Sequence, residues 1–472
     1  MDVYKVEEDL FYKIANLTKE LNSYNSSIIE EKFSRLIELK ILPYIREMES
    51  RFFTEISDLR SIGNLATRRA PHTERQIKCV FLVHAIESFD AIFGVWDAMR
   101  NDNRFDPLVV SINRKFPGDT EYRGEDETSA ALDLRGIEHI RLGMEPSFIG
   151  LNILRALAPD VIFRQSQWEP DVPEAFRTQN INFARLCSVP YGMSTVGHFE
   201  LSDAFDGGVS EYSFDQLWHR MAWRVFCETE KTRDYFVHFR HSDPSKFIVS
   251  GYPKLARLLA ARNEPEVWPI NVDGNRRFRV IWAPHYSVGT SWLGFGTFDS
   301  IHNDFLAYAQ ERNDIDFVLK PHPALFTFAV NGGAMDREAL DTFLESWKAL
   351  ENCSIELGTY AHLFAASDMM VTDGLSFLTE YPIFEKPLVF IDSGKHVSMN
   401  ALGEASLAAA HHVQDFSGIR HAIEYYATGG TWLLESERKN LIEILFPREQ
   451  PAVEIILDEI HNGIITNYRE II

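Results

Sequence analysis

Cysteine is scarce in this chain: Cys79, Cys187, Cys227 and Cys353 are the only four in 472 residues, and no two of them stand in C-x-x-C spacing. Each lies in or beside an apolar run, so the expected state is a buried free thiol in a reducing compartment, not a disulfide or a metal ligand. Long apolar runs are missing too. None approaches the roughly 18 residues that a membrane span needs, and the N-terminal "MDVYKVEEDLFYKIANL" carries acidic residues where a signal peptide needs positive charge. The chain therefore reads as soluble and cytoplasmic. Basic residues are outnumbered 47 to 69 by acidic ones, for a formal charge of −22. That balance argues against a nucleic-acid partner or electrostatic coating of an anionic bilayer, so any bound anion must be met by a local site. Several motifs are absent as well: G-x-x-x-x-G-K-[ST], a strand-linked G-x-G-x-x-G, H-E-x-x-H and G-x-S-x-G. Their absence disfavours the common ATPases, dehydrogenases, zincins and serine hydrolases, and neither a metal nor another cofactor is expected.

What is present suits a large α/β protein. A chain of 472 residues with 45% hydrophobic and 12% aromatic content is too long for one core and fits two domains with extra elements. Residues 1–70 form a predicted helical extension: apolar residues recur at three- and four-residue spacing through Leu10, Ile14, Leu17, Leu21 and then Phe33, Leu36, Ile37, Ile41. Such helices are expected to pack on the next domain or on a second copy of the chain, which makes them the candidate surface of a homo-oligomer. From residue 71 to about 260, short apolar runs such as "CVFLVHA", "DPLVVSIN", "PDVIFRQ", "WRVFCETE" and "KFIVSGYP" alternate with helix-length segments. A second series fills 261–472, with "FRVIWAPH", "DFVLKPHP", "CSIELG", "MMVTD" and "PLVFID". Strands separated by helices predict parallel sheets with both faces covered, here two doubly wound domains facing a cleft. Ligands of such sheets bind beyond the carboxyl ends of the strands.

Polar residues cluster where the second-domain strands end. His285 follows one strand, Lys320 and His322 the next, and Thr372, Asp373, Gly374 and Ser376 a third. Parallel strands bring these ends to one edge. Gly374 and Ser376 fall at the start of a short helix, whose free N–H groups favour an anion; Ser376 either caps that helix, the favoured reading, or donates to a phosphate oxygen. Lys320 would add a full charge to a diphosphate site. Glu380, one turn beyond Ser376, is either a solvated carboxylate or an acceptor for a ribose or polyol hydroxyl. His285 and His322 each follow a proline, and "PHP" holds the backbone on both sides of His322, which suits hydrogen bonding or proton transfer. In the first domain His84 follows the first strand and is the candidate base for an acceptor hydroxyl. Arg164 and Gln167, after a later strand, and Tyr191, in "SVPYGMSTVGH", are the candidate acceptor-binding residues.

"APHYS", "LKPHP" and above all "MMVTDGLSFLTEYPIFEKPLVFID" resemble the C-terminal half of the CDP-glycerol glycerophosphotransferase family, the polymerases and primases of teichoic acids and related capsule polymers. The resemblance covers residues 245–395 and departs from the family pattern at Gly374 and Phe377; the family's W-H-G-T motif is absent. It implies a GT-B fold and an inverting, metal-independent transfer from a CDP-activated donor such as CDP-glycerol. It also implies a lipid-linked or polysaccharide acceptor and a place at the inner face of the cell membrane. By position, Thr372, Asp373, Gly374 and Ser376 would hold the donor diphosphate, and His322 would stand near the donor phosphates. Two other readings remain open at this point: a GT-B glycosyltransferase using a nucleotide sugar for capsule or O-antigen synthesis, and a non-catalytic binding protein.

Overall fold

The computed structural model describes residues 75–116, 119–196, 211–270 and 276–469, together with Leu42 and Met48. The helical extension expected over residues 1–70, and any oligomer formed through it, therefore lie outside the described residues. Two parallel sheets organise the rest. The first contains seven strands: β1 (Ile77–Val83), β2 (Phe105–Ser111), β3 (His139–Arg141), β4 (Val161–Arg164), β5 (Arg185–Ser188), β6 (Arg224–Cys227) and β7 (Phe247–Val249), in spatial order 3-2-1-4-5-6-7. The second contains six: β8 (Phe278–Ala283), β9 (Ile315–Leu319), β10 (Cys353–Ile355), β11 (Met369–Thr372), β12 (Leu388–Ile391) and β13 (His411–Val413), in order 10-9-8-11-12-13. In each sheet the order reverses beside the first strand, between β1 and β4 and between β8 and β11. Such a reversal opens a crevice at the carboxyl edge.

The unbroken apolar runs in the sequence have a simple cause: both faces of each sheet are covered. Along β1, Cys79, Phe81 and Val83 enter one core while Val80 and Leu82 enter the other. Along β8, Val280 and Trp282 face one layer and Ile281 and Ala283 the opposite one. The covering helices show the matching stripe. In Arg337–Lys348 the buried residues are Leu340, Phe343 and Trp347, and in Lys254–Ala261 they include Leu255, Leu258 and Ala261. β3 and β13 were not anticipated. Each is a three-residue edge strand, too short and too polar to leave an apolar run.

Among the described residues the lobes meet through several contacts. Helix Lys254–Ala261, leaving the first sheet, puts Leu255 and Leu258 into the same apolar cluster as Ile281, Phe364 and Tyr381 of the second lobe. The final helix, Ala452–Arg469, returns to the first lobe, where Ile456, Ile460 and Ile464 join its core and Glu459 meets Arg224 at 2.7 Å. The loop after β5 docks on the second lobe: Asn400 donates from its backbone to Thr195 O and from its side chain to Ser194 O, both at 2.9 Å, and Val196 pairs with Met399. All four cysteines are free and buried. Among the described residues no helix is long and apolar enough to cross a membrane.

Candidate active site

The carboxyl ends of β8, β9 and β11 carry a tightly organised turn cluster. Asp373, 1% exposed, accepts from the backbone N–H of His285 at 2.5 Å, from the N–H of Thr297 at 2.6 Å and from the Thr297 hydroxyl at 2.8 Å. Burial raises its pKa to about 6. Thr372 donates to Ala283 O at 2.7 Å and accepts from Gly374 N–H at 2.9 Å, lacing β11 to β8. A Cβ on Gly374 would stand 3.2 Å from the Thr372 hydroxyl, so glycine permits the tight turn. The Thr372 and Asp373 side chains and the Gly374 N–H are thus engaged in shaping the edge, whereas the expectation had them contacting the diphosphate directly.

The two histidines on this edge share one hydrogen-bond logic. Ser287 Oγ accepts from the N–H of Phe295 at 3.0 Å and of Gly296 at 3.2 Å, so its proton is left for His285 Nδ1, 2.7 Å away. His322 Nδ1 accepts from Ala324 N–H at 3.1 Å. Both rings therefore carry their proton on Nε2. The ring centroids are 5.4 Å apart, with Tyr286 packed against each. Burial, reinforced by Lys320, lowers the pKa of His322 to about 3, and burial with the neighbouring His322 lowers that of His285 well below its usual value. At neutral pH they are uncharged N–H donors. Lys320, after β9, is 3% exposed; its backbone N–H donates to Trp282 O at 2.8 Å, while its Nζ makes no hydrogen bond among the described residues and lies 5.6 Å from the centre of the Tyr360 ring. Desolvation lowers its pKa to about 8, against the pull of Glu87 across in the first lobe.

Ser376 opens the five-residue helix Ser376–Glu380 as its first residue, with Leu375 at the cap position and no side-chain capping bond. The favoured capping role is therefore not observed. Its side chain is exposed, facing Gly192 of the first lobe, where an added Cβ would lie 3.6 Å from the Ser376 hydroxyl. Glu380 corrects a second expectation. It is 1% exposed, accepts from the hydroxyls of Tyr360 and, at 3.4 Å, Tyr252, and lies 3.6 Å from Lys254 Nζ, itself bonded to the Tyr360 hydroxyl. Its carboxylate ties the lobes together and is neither solvated nor offered to a ribose.

The first-lobe edge is different. His84, just beyond β1, is 3% exposed; its backbone N–H donates to Gln165 Oε1 at 3.4 Å, and its Nδ1 lies 3.2 Å from the same oxygen. Because the backbone can only donate, that atom is the amide oxygen, and Nδ1 must carry the ring proton. The lone pair is on Nε2. Burial and the Arg114 charge lower the His84 pKa to about 4. Arg164 is withdrawn from any ligand: its side chain is 0% exposed, bonded to Ser166 O at 2.9 Å and Glu169 at 2.8 Å, and its guanidinium lies 4.3 Å from the Trp218 ring centre. Gln167 holds His219 at 3.2 Å and Ser213 O at 3.4 Å. Both make bonds within the lobe; Arg164 is buried, whereas Gln167 is half-buried. Tyr191 keeps a 42% exposed side chain, positioned by Trp168 Nε1 at 2.9 Å and by Tyr252, which donates to Tyr191 O at 2.9 Å.

Arg114, Ser287, Lys254 and Tyr360 were missed. Arg114 follows β2 in "VVSINRKF", so the rule that polar residues mark strand ends would have found it. Gln165 stands on the same strand end as Arg164, and its position there was legible, but its bond to His84 was not. Lys254 and Tyr360 are 106 residues apart and left no local signal. Among the described residues, no group of three His, Cys, Asp or Glu side chains could hold a metal ion.

Solved structures share this architecture. UDP-GlcNAc 2-epimerase from Neisseria meningitidis, bound to UDP-GlcNAc, aligns with a TM-score of 0.51 at 13% identity over 81% of this chain and 99% of that one. A putative UDP-N-acetylglucosamine 2-epimerase from Listeria monocytogenes gives 0.52 at 13% identity over 83% and 97%. The wall teichoic acid polymerase TagF, in a variant soaked with CDPG, gives 0.50 at 11% identity over 91% and 99%. No family model and no curated protein sequence matches the chain. At these identities the likeness concerns the fold, and that fold is GT-B.

Proposed function

We propose that this chain is a GT-B transferase that moves a glycerol-phosphate, or similar polyol-phosphate, unit from a CDP-activated donor to a lipid-linked or polysaccharide acceptor of the cell surface. The reading is carried by one observation: opposite proton placement at the two sheet edges. On the second lobe, Lys320 and the Nε2–H groups of His285 and His322 offer positive charge and donors to a diphosphate. On the first lobe, His84 offers an Nε2 lone pair to an acceptor hydroxyl. In the proposed step the acceptor oxygen, losing its proton to His84, bonds to the β-phosphorus of the donor. The bond from that phosphorus to the CMP oxygen breaks, and CMP leaves with its charge met by Lys320. Ser376 and the N–H groups of its helical turn complete the donor site, with Thr372, Asp373 and Gly374 holding the turn. Domains spanning 71–260 and 261–472 would supply the acceptor and donor halves.

A second reading keeps the site and exchanges the donor for a nucleotide sugar; UDP-GlcNAc bound to the epimerase of the same fold favours it. Calorimetric titration with CDP-glycerol, CDP, CMP and UDP tests both. Cytidine-nucleotide binding weakened by Ser376→Ala is the expected result, preference for UDP moves the assignment to nucleotide-sugar chemistry, and no nucleotide binding overturns both readings.

A further inference from the structure

Three strand ends meet at the reversal in the first sheet, and two buried donors there have no partner. Ser111 pairs with Val83 and Leu82 with Arg164, so the residues that follow β2, β1 and β4 emerge side by side. They include Arg114, His84 and Gln165. Gln165 is 5% exposed; its oxygen is taken by His84, and its amide nitrogen is buried without an acceptor. Arg114 Nε is likewise buried without an acceptor; Glu87, Glu127 and Asp119 act on its guanidinium electrostatically, but among the described residues none of them forms an ion pair with it. That guanidinium is not loose. It lies 4.0 Å from the centre of the Phe116 ring, and its backbone is clamped to Arg123 by hydrogen bonds of 2.9 and 2.8 Å. Unsatisfied buried donors are costly unless a ligand supplies the acceptor.

We propose that Arg114 and Gln165, flanking His84, form an anion subsite that takes an oxyanion carried by the acceptor substrate close to its attacking hydroxyl. The subsite rests on the acceptor role given to the first lobe above. It also resolves a difficulty in that reading, because a base held near pKa 4 is weak. The groups facing His84 are the cations Arg114 and Arg164 and the neutral Gln165. An anion on Arg114 offsets that positive charge and makes His84 a stronger base only when the acceptor is bound.

The test uses the full chain with isotope-labelled histidine, the His84 ring signals being assigned by His84→Gln, and inorganic phosphate as the probe. Phosphate is expected to shift the His84 signals saturably and to raise the pH at which they titrate. Arg114→Gln should weaken that response about tenfold or more, while Lys439→Gln, on the exposed surface far from both strand edges, leaves it unchanged. If Arg114→Gln does not fold, Gln165→Met is read in the same way. A parallel acetate titration decides the source: a response to phosphate alone assigns a phosphorylated acceptor, and a response to acetate as well assigns a carboxylate. His84 signals that do not move, or that move equally in the variant, overturn the subsite. Loss of nucleotide binding with the His84 response intact would instead remove the donor reading and leave the subsite standing.

Discussion

The two sheet edges have the same topology and opposite chemistry. On the second lobe every turn is internally bonded: Asp373 is held by three donors, Thr372 laces two strands, and Ser287 and Ala324 set the protons of two histidines. What it presents outward is positive or proton-donating. On the first lobe a single glutamine sets one histidine the other way round, leaving a lone pair beside two unmatched donors. Histidine alone therefore says little about role. The group bonded to Nδ1 decides whether Nε2 gives or takes a proton.

This contrast can be broken most decisively at His84. His84→Ala should slow transfer by about a hundredfold to ten-thousandfold while leaving nucleotide affinity unchanged, as measured by product formation and calorimetry. Equal loss of nucleotide binding would dissolve the division of labour between the edges. Lys320→Met should act in the opposite sense, weakening nucleotide binding by about tenfold to a hundredfold while raising the melting temperature, because a buried ammonium without a hydrogen bond is removed. In the native chain the same affinity should decline as pH rises through about 8, where Lys320 loses its proton.

Asp373→Asn comes next, with an expected loss of about 1–3 kcal/mol in denaturant unfolding, since an amide cannot accept from all three donors. The pH dependence sharpens this prediction. The folded Asp373 binds its proton more tightly than the ordinary carboxyl at 3.8, releasing it near 6, so the part of the stability linked to that proton is fully present below about 4 and is lost as pH rises through 6. The asparagine variant should lack that slope. Ser376→Ala should be smallest, within about 0.5 kcal/mol in stability, because the hydroxyl is exposed and caps nothing, with the effect confined to nucleotide affinity.

Much of this was readable from local sequence. "MMVTD" and "FVLKPHP" announce strands ending in polar groups, because a sheet buried on both faces leaves apolar runs and its open edge collects the remaining chemistry. Glu380 shows where that reasoning stops. Helical spacing correctly placed it one turn from Ser376 but said nothing of Tyr252, 128 residues away, which with Lys254 and Tyr360 closes over its carboxylate. Arg164 shows the same limit at shorter range: its position at a strand end was legible, but Glu169 and Trp218 turning it inward were not.

The sequence by itself determined the two parallel sheets, most of their strands and the strand ends that carry His84, His285, Lys320 and His322 and lead into Ser376. Those follow from hydrophobic periodicity and chain direction, which are local properties. Only the tertiary structure decided which of these groups are available and which are already satisfied. Proton position on a ring, burial of a cation and the pairing of a carboxylate depend on atoms brought together from distant parts of the chain, and hydrogen bonds of this kind act over about 3 Å.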